Sequence, residues 1–399
     1  MVQPVVLTFE EMIGSLRSAI NKFPDIRTGK NTRYEMMDAA AGAFSVFFTQ
    51  CPSFLEYQKL MEKRYGLSNA RTLFGIKDIP SDNHIRDLLD PVVPDSLFSV
   101  FDSCFDALET SGHLDSFRVG LGSSNKDLLI AVDGTEYHSS ETIHCNNCSA
   151  RKRDGQTRYL HSMVTPTVVM PGKNTVVSLP PEFIMPQDGT TKQDCEQNAT
   201  KRWIKKHGKT YSSANVTILG DDLYAHEPMT RLFLEKGFNF VLVCKPESHK
   251  TLYEWINGIT KEKIVRKWDG KYHQVTTTYK YCEGVPLRDG NDALMVNFVE
   301  VTVTREKDGK KLYHNAFVTN HPITEETVEA IVLAGRTRWK IENENNNTLK
   351  TQGYHLEHNF GHGKKNLSML LATMNILAFL FHTLLELMDG KYKLLRKVI

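Results

Sequence analysis

Three acidic positions, far apart in a chain of 399 residues, are of the type that could share a divalent metal ion through hard oxygen ligands. Asp133 follows an apolar run at 128–132 and opens Asp133-Gly134-Thr135. Asp221 follows the apolar run Val216–Gly220, with Asp222 beside it. Open α/β sheets place their ligand groups at the C-terminal ends of such strands, and two carboxylates there suit a hard divalent cation. The third position lies in Arg336-Thr337-Arg338-Trp339-Lys340-Ile341-Glu342-Asn343-Glu344-Asn345-Asn346-Asn347-Thr348-Leu349-Lys350. Arg338 and Glu342 are one helical turn apart and share a face, and Lys350 follows two turns later on roughly the same side. Successive Asn residues are poor helix formers and persist more readily where they touch something. Taken singly, each strand-end Asp is equally a turn residue, and Arg338–Glu342 equally a solvated surface pair.

The elements that must position these groups follow from hydrophobic period. The first 115 residues read as helical, with capping boxes at Thr8/Glu11, Thr32/Glu35 and Ser53/Glu56. From residue 127 short β-prone runs, including 163–170 and 175–179, alternate with helical segments. One of these is a basic helix at about 192–206, and the alternation predicts an α/β layer architecture. Residues 260–320 are rich in β-branched and aromatic residues, with hairpin turns at Asp269-Gly270 and Asp308-Gly309. They predict a small β subdomain set inside the α/β domain. Thr324 caps a long helix over about 325–350. The stretch at 367–388 has the length of a membrane span but carries Asn375, His382 and Glu386, so a buried C-terminal helix is expected.

The run Arg338-Trp339-x-Ile341-Glu342 resembles the signature helix of DDE transposases of bacterial insertion sequences, the insertion-sequence-four type. Residues 130–135 look like the first catalytic strand of that family, ending in Asp-Gly-Thr. Leu219-Gly220-Asp221-Asp222-Leu223-Tyr224 looks like the second, where an Asp is followed three residues later by Tyr. That register selects Asp221 over its rival Asp222. The order and the long second gap, which holds a β-rich insertion in that family, also match. Two positions depart from the family pattern: Gly335 stands where it has a Tyr, and Leu349 where it has a Lys, with Lys350 one step on. Glu344 is therefore a rival to Glu342.

The resemblance implies an α/β fold with an RNase H-like mixed sheet flanked by helices, a β-rich insertion and an all-helical N-terminal domain. The corresponding divisions are 1–120, 121–250 and 324–399 for the helical domain and the two parts of the core, with the insertion at 251–323. It implies that Asp133, Asp221 and Glu342 hold two Mg²⁺ or Mn²⁺ ions, that Arg338 and Lys350 grip phosphates, and that the chain cuts element ends and joins them to target DNA. A homodimer on DNA follows from the need to hold two ends. The alternatives are a catalytically silent DNA-binding relative and a metal-dependent nuclease without strand joining.

Charge and composition fit a nucleic-acid partner for the later part of the chain. The totals, 49 Lys and Arg against 47 Asp and Glu, exclude a histone-like polycation. Residues 1–120 nevertheless hold 12 basic against 16 acidic residues, and the remainder holds 37 against 31. Arg151, Lys152, Arg153 and Arg158 read as a basic loop, and Lys201, Arg202, Lys205, Lys206 and Lys209 as a basic helix and its exit. Such clusters contact backbone phosphate without reading sequence. Within the helical region Arg71, Lys77, Asn83, His84 and Arg86 are the local candidates, and Trp203, Trp255 and Trp268 are aromatics that either stack on a base or pack. Seven Cys spread over a long chain do not make a disulfide framework, so a reducing cytoplasm, with the protein on the nucleoid and no membrane partner, is expected. Cys145 and Cys148 have zinc-ligand spacing, and His144, His161 or Cys195 stand as candidates to complete a set; a plain polar loop is the other reading.

Overall fold

The structure is a computed structural model that describes residues 7–28, 34–61, 63, 69–78, 80–153, 155–186, 194–268 and 274–395. Thr32, Lys192 and the turn at Asp269-Gly270 lie outside the described residues. The chain is mixed α/β, with a large mixed sheet flanked by helices.

Its strands are β1 (Arg118–Val119), β2 (Asp127–Ala131), β3 (Gly134–Ser140), β4 (Ser149–Arg153), β5 (Gln156–Val164), β6 (Thr167–Val169), β7 (Val177–Ser178), β8 (Glu182–Ile184), β9 (Val216–Gly220), β10 (Asn239–Val243), β11 (Lys261–Trp268), β12 (Gln274–Pro286), β13 (Met295–Arg305) and β14 (Lys311–Thr319). The large sheet runs β11-β12-β13-β14-β10-β9-β2-β6-β7, with β1 paired to β2. Strands β2, β9 and β10 are parallel, and their neighbours β14 and β6 are antiparallel. The near-continuous apolar character of β2 and β9 has its cause here, because every residue of both is buried. Alternate side chains enter opposite layers. Leu128, Ile130, Val216 and Ile218 join the core shared with the N-terminal helices, while Leu129, Ala131 and Leu219 meet Val328, Ile331 and Val332 of the helix Val328–Thr337.

The segment 261–319 forms four antiparallel strands that extend this sheet through the β14–β10 pairing. The run at 163–170, expected as one strand, is two. Pro166 has no N–H for a ladder, and the chain changes sheets at Thr165–Pro166, leaving β5 in a second sheet, β3-β5-β4 with β8 on β5, and placing β6 in the first. Asp133 sits at the matching switch between β2 and β3, and its carbonyl accepts from Thr165 N at 3.1 Å.

Two N-terminal helices begin as their caps predict, whereas the helix Met36–Phe48 starts later than the Thr32/Glu35 box implies, with Glu35 itself as its extended N-cap and no side-chain cap. Thr8 Oγ1 accepts from Glu11 N at 3.3 Å and Glu11 Oε2 accepts from Thr8 N at 2.7 Å. Ser53 accepts from Glu56 N at 3.1 Å. The helix Leu367–Met388 is long and apolar enough to cross a membrane, but it is almost wholly buried within the fold. It packs against the helix Met36–Phe48, with the Phe44 and Phe381 rings 5.2 Å apart and Phe47 4.8 Å from Phe360 in the preceding segment.

Candidate active site

Parallel pairing of β2 with β9 matches Ala131 to Leu219, so Asp133 and Asp221, two residues beyond each, leave the sheet side by side. Asp221 then caps a short turn, its Oδ1 accepting from Leu223 N at 2.9 Å. Gly220 permits this turn, because a Cβ there would stand 2.8 Å from the Tyr224 ring and 3.0 Å from Leu242.

Glu342 arrives from the other layer. Arg338 bridges the two elements, with Nη1 3.2 Å from Asp133 Oδ2 and Nη2 3.0 Å from Glu342 Oε1. The helix expected over 325–350 is not uniform. After Val328–Thr337 the turn widens to a π-helix at Ile341–Asn346 and closes as Asn347–Thr351. The cause is the Asn run. Asn345 Oδ1 accepts from Ser178 Oγ at 2.7 Å and Asn346 Oδ1 from Thr165 Oγ1 at 2.8 Å, both buried. In an α-helix two consecutive side chains diverge by about 100°, and the widened turn lets both face the sheet.

A fourth carboxylate belongs to the cluster, and the sequence reading missed it. Glu196 opens the helix Glu196–Ser212. Its Oε1 accepts from the Tyr224 hydroxyl at 2.6 Å, and its Oε2 lies where a Cβ on Gly134 would come within 2.5 Å. Gly134 therefore makes room for Glu196. Burial raises the Glu196 carboxyl above the ordinary range, the Tyr224 bond opposes this, and the charge of Asp221 adds to it. Asp133 is pushed up to about 7, chiefly by burial, with Arg338 pulling against it and the charges of Glu196, Glu342 and Asp221 reinforcing it. Its side chain is only 17% exposed, less than a strand end predicts.

The rivals have other surroundings. Asp222 turns away and accepts from Lys245 N at 2.6 Å and Ser248 Oγ at 2.5 Å, pinning the loop after β10. Glu344 is half-buried. Gly335 faces the Phe317 ring of β14, which a Cβ would approach within 2.7 Å, so this helix leaves no space for a Tyr. Leu349 is fully buried, and Lys350 Nζ lies 2.9 Å from Glu357 Oε1.

The basic groups divide in the same manner. Arg151 and Lys152 lie on β4 and Arg158 on β5, so the expected basic loop is a hairpin; the side chain of Arg153 lies outside the described residues. Arg151 is exposed and pairs with Glu136 at 2.9 Å. It rims a cleft shared with Gly134, Ser162 and Glu196. Arg202 is held structurally by Asp194 at 2.7 Å and Glu182 at 2.8 Å, and Lys206 pairs with Asp95, whereas Lys205 and Lys209 are exposed and Lys201 is half-buried. Lys77 pairs with Glu35 and Arg86 with Asp82, while His84 bonds to Ser81. Trp203 is buried with its indole donating to Pro180 O, while Trp255 and Trp268 are exposed. Cys145 and Cys148 meet His161 and His362, not His144, which stacks on Tyr159, nor Cys195, which is exposed.

No family model matches the chain, and no curated protein matches it. Among solved structures it is similar to a piggyBac transposase synaptic complex with hairpin DNA, at a TM-score of 0.42 and 11% identity, over 99% of this chain and 77% of that one. A likeness so distant says nothing of what this chain does.

Proposed function

We propose that the chain is a DNA transposase that cuts element ends and transfers the freed strand on an RNase H-like core, with Asp133, Asp221 and Glu342 as its metal-binding carboxylates. The observation that supports this reading is that Asp133 and Asp221 leave adjacent parallel strand ends, while Arg338 links Asp133 to Glu342 on a separate helix. The donor set is all carboxylate oxygen, which suits Mg²⁺ or Mn²⁺. A single Arg leaves most of the negative charge around Asp133 uncompensated, a deficit that a pair of divalent cations fits. Such ions, when bound, activate the attacking hydroxyl and stabilise the leaving oxygen of an in-line phosphoryl transfer.

The residues of the chain do the positioning. Arg338 fixes the Asp133 and Glu342 carboxylates relative to each other and presents donors toward an incoming phosphate. The Tyr224 hydroxyl holds Glu196 beside Gly134. The π-turn absorbs one residue, so Lys350 follows Glu342 on the face that the seventh residue would occupy in an unbroken helix. This register favours Glu342 over Glu344. Arg151, Lys152, Lys201 and Lys205 are the phosphate contacts of this reading, and a DNA-bound homodimer holds the two ends. The tie of Lys350 to Glu357 favours a second reading, a catalytically silent DNA-binding relative.

The test uses the purified full chain, Mg²⁺ or Mn²⁺, and linear DNA carrying the sequences that flank its gene. Cleavage followed by joining into a second DNA, lost in Asp133→Asn, Asp221→Asn and Glu342→Gln, is the expected result. Cleavage without joining identifies a nuclease, and binding without cleavage the silent relative. Activity undiminished in Asp133→Asn removes the proposed site.

A further inference from the structure

Away from the carboxylates, a second set of ligand-type side chains converges. Cys145 and Cys148 lie in the turn between β3 and β4, where Cys148 N donates to Cys145 O at 3.2 Å. His161 is on β5, and His362 comes from the segment that leads into the helix Leu367–Met388. The four ligand atoms all lie within 4.8 Å of one another, and three of the residues are buried. We propose that Cys145, Cys148, His161 and His362 bind one structural zinc ion.

The distances carry the assignment. A tetrahedral zinc with Zn–S of about 2.3 Å and Zn–N of about 2.05 Å requires S···S edges of about 3.8 Å and S···N edges of about 3.5 Å. The two sulfurs are 3.9 Å apart, and His161 Nε2 is 3.5 Å from each. His362 Nε2 is 3.5 Å from Cys148 Sγ. These are tetrahedron edges. They are far longer than the roughly 2.05 Å of a disulfide, and all the cysteines are free. Two thiolates and two imidazoles make a closed set of soft and borderline donors, which selects zinc over the hard cations of a carboxylate site and leaves no open position for substrate. The neighbourhood packs the ligands: the Tyr137 ring stacks on His161 at 5.6 Å, and His138 lies 4.5 Å from His362.

Topology says what the ion does. β3 begins at Gly134, next to Asp133, and the segment carrying His362 follows the helix that carries Glu342. Zinc clamps these two stretches together, and Asn147 Nδ2 donating to Lys365 O at 2.6 Å spans the same join. The binding claim does not depend on the DNA-processing reading, and its test needs no DNA.

The experiment measures zinc by mass spectrometry in the purified full chain and in Cys148→Ser, His362→Ala and the control Cys195→Ser. It also records the visible spectrum of the wild-type chain reconstituted with Co²⁺. The expected result is about one zinc per chain in wild type and Cys195→Ser, at least about tenfold less in the two ligand variants, and intense tetrahedral cobalt bands with thiolate charge transfer. Wild-type protein that holds no zinc and gives only weak octahedral cobalt bands overturns the site, as do soluble ligand variants that keep full zinc. Should the ligand variants prove insoluble, the wild-type zinc content and cobalt spectrum decide by the same criteria.

Discussion

Asp127 and Asp133 bracket the same strand, and their surroundings are opposite. Asp127, at the start of β2, is fully buried and accepts from Thr217 Oγ1 at 2.8 Å and Asn239 Nδ2 at 3.2 Å, with Ser123 and His321 close by. Burial holds His321 below its ordinary range, so the partners of Asp127 are mainly neutral donors. Asp133, just past the end of β2, has Gly134 N at 3.0 Å and one arm of Arg338, and otherwise faces carboxylates. A buried acid surrounded by donors holds elements together. A buried acid surrounded by other acids is poorly solvated and keeps its proton to higher pH.

The largest expected effect separates the two directly. Asp133→Asn lowers metal-dependent DNA cleavage about a thousandfold or more, the scale of several kcal/mol of lost charge stabilisation, while Asp127→Asn in folded protein stays within about tenfold of wild type. Equal losses in both, measured on the same DNA, would break the contrast. Stability should run the other way. Asp127→Ala strands Thr217 and Asn239 and costs about 3 kcal/mol in urea unfolding, whereas Asp133→Asn is neutral or stabilising.

Divalent metal gives the next effect. At 100 times its dissociation constant, Mg²⁺ stabilises the wild-type chain by about 2.7 kcal/mol and Asp133→Asn by far less, as thermal unfolding would show. The metal-free chain has a matching pH dependence. Asp133 keeps its proton in the fold up to about 7, against an ordinary value of 3.8. The folded state therefore binds more protons than the unfolded one between these values, and stability falls as pH rises from about 4 to about 7. Urea midpoints across that window should decline in wild type and flatten in Asp133→Asn. The smallest effect is Tyr224→Phe, which removes the bond to Glu196 and costs about 1 kcal/mol.

Much of this was legible in the sequence, for reasons the structure makes physical. The runs before Asp133 and Asp221 read as strands because both faces of β2 and β9 are buried. Glu342 was singled out by the resemblance of Arg338-Trp339-x-Ile341-Glu342 to the transposase signature, and the four-residue spacing within it is the geometry of the Arg338–Glu342 ion pair. Glu196 was hidden because an acid in the first turn of a helix ordinarily answers the helix dipole, and its partner Gly134 signals a turn as readily as a close approach. The π-turn was hidden because it depends on Thr165 and Ser178, far away in the chain. His362 was hidden for the same reason, lying 214 positions from Cys148.

The packing of Phe44 on Phe381 and Phe47 on Phe360 has a further consequence. The first hundred residues are no detachable module, because excising them would strip the cover from the long apolar helix Leu367–Met388 and invite aggregation. Variation in this region is left to surface side chains on a fixed scaffold, since swapping in a ready-made module would leave that helix bare.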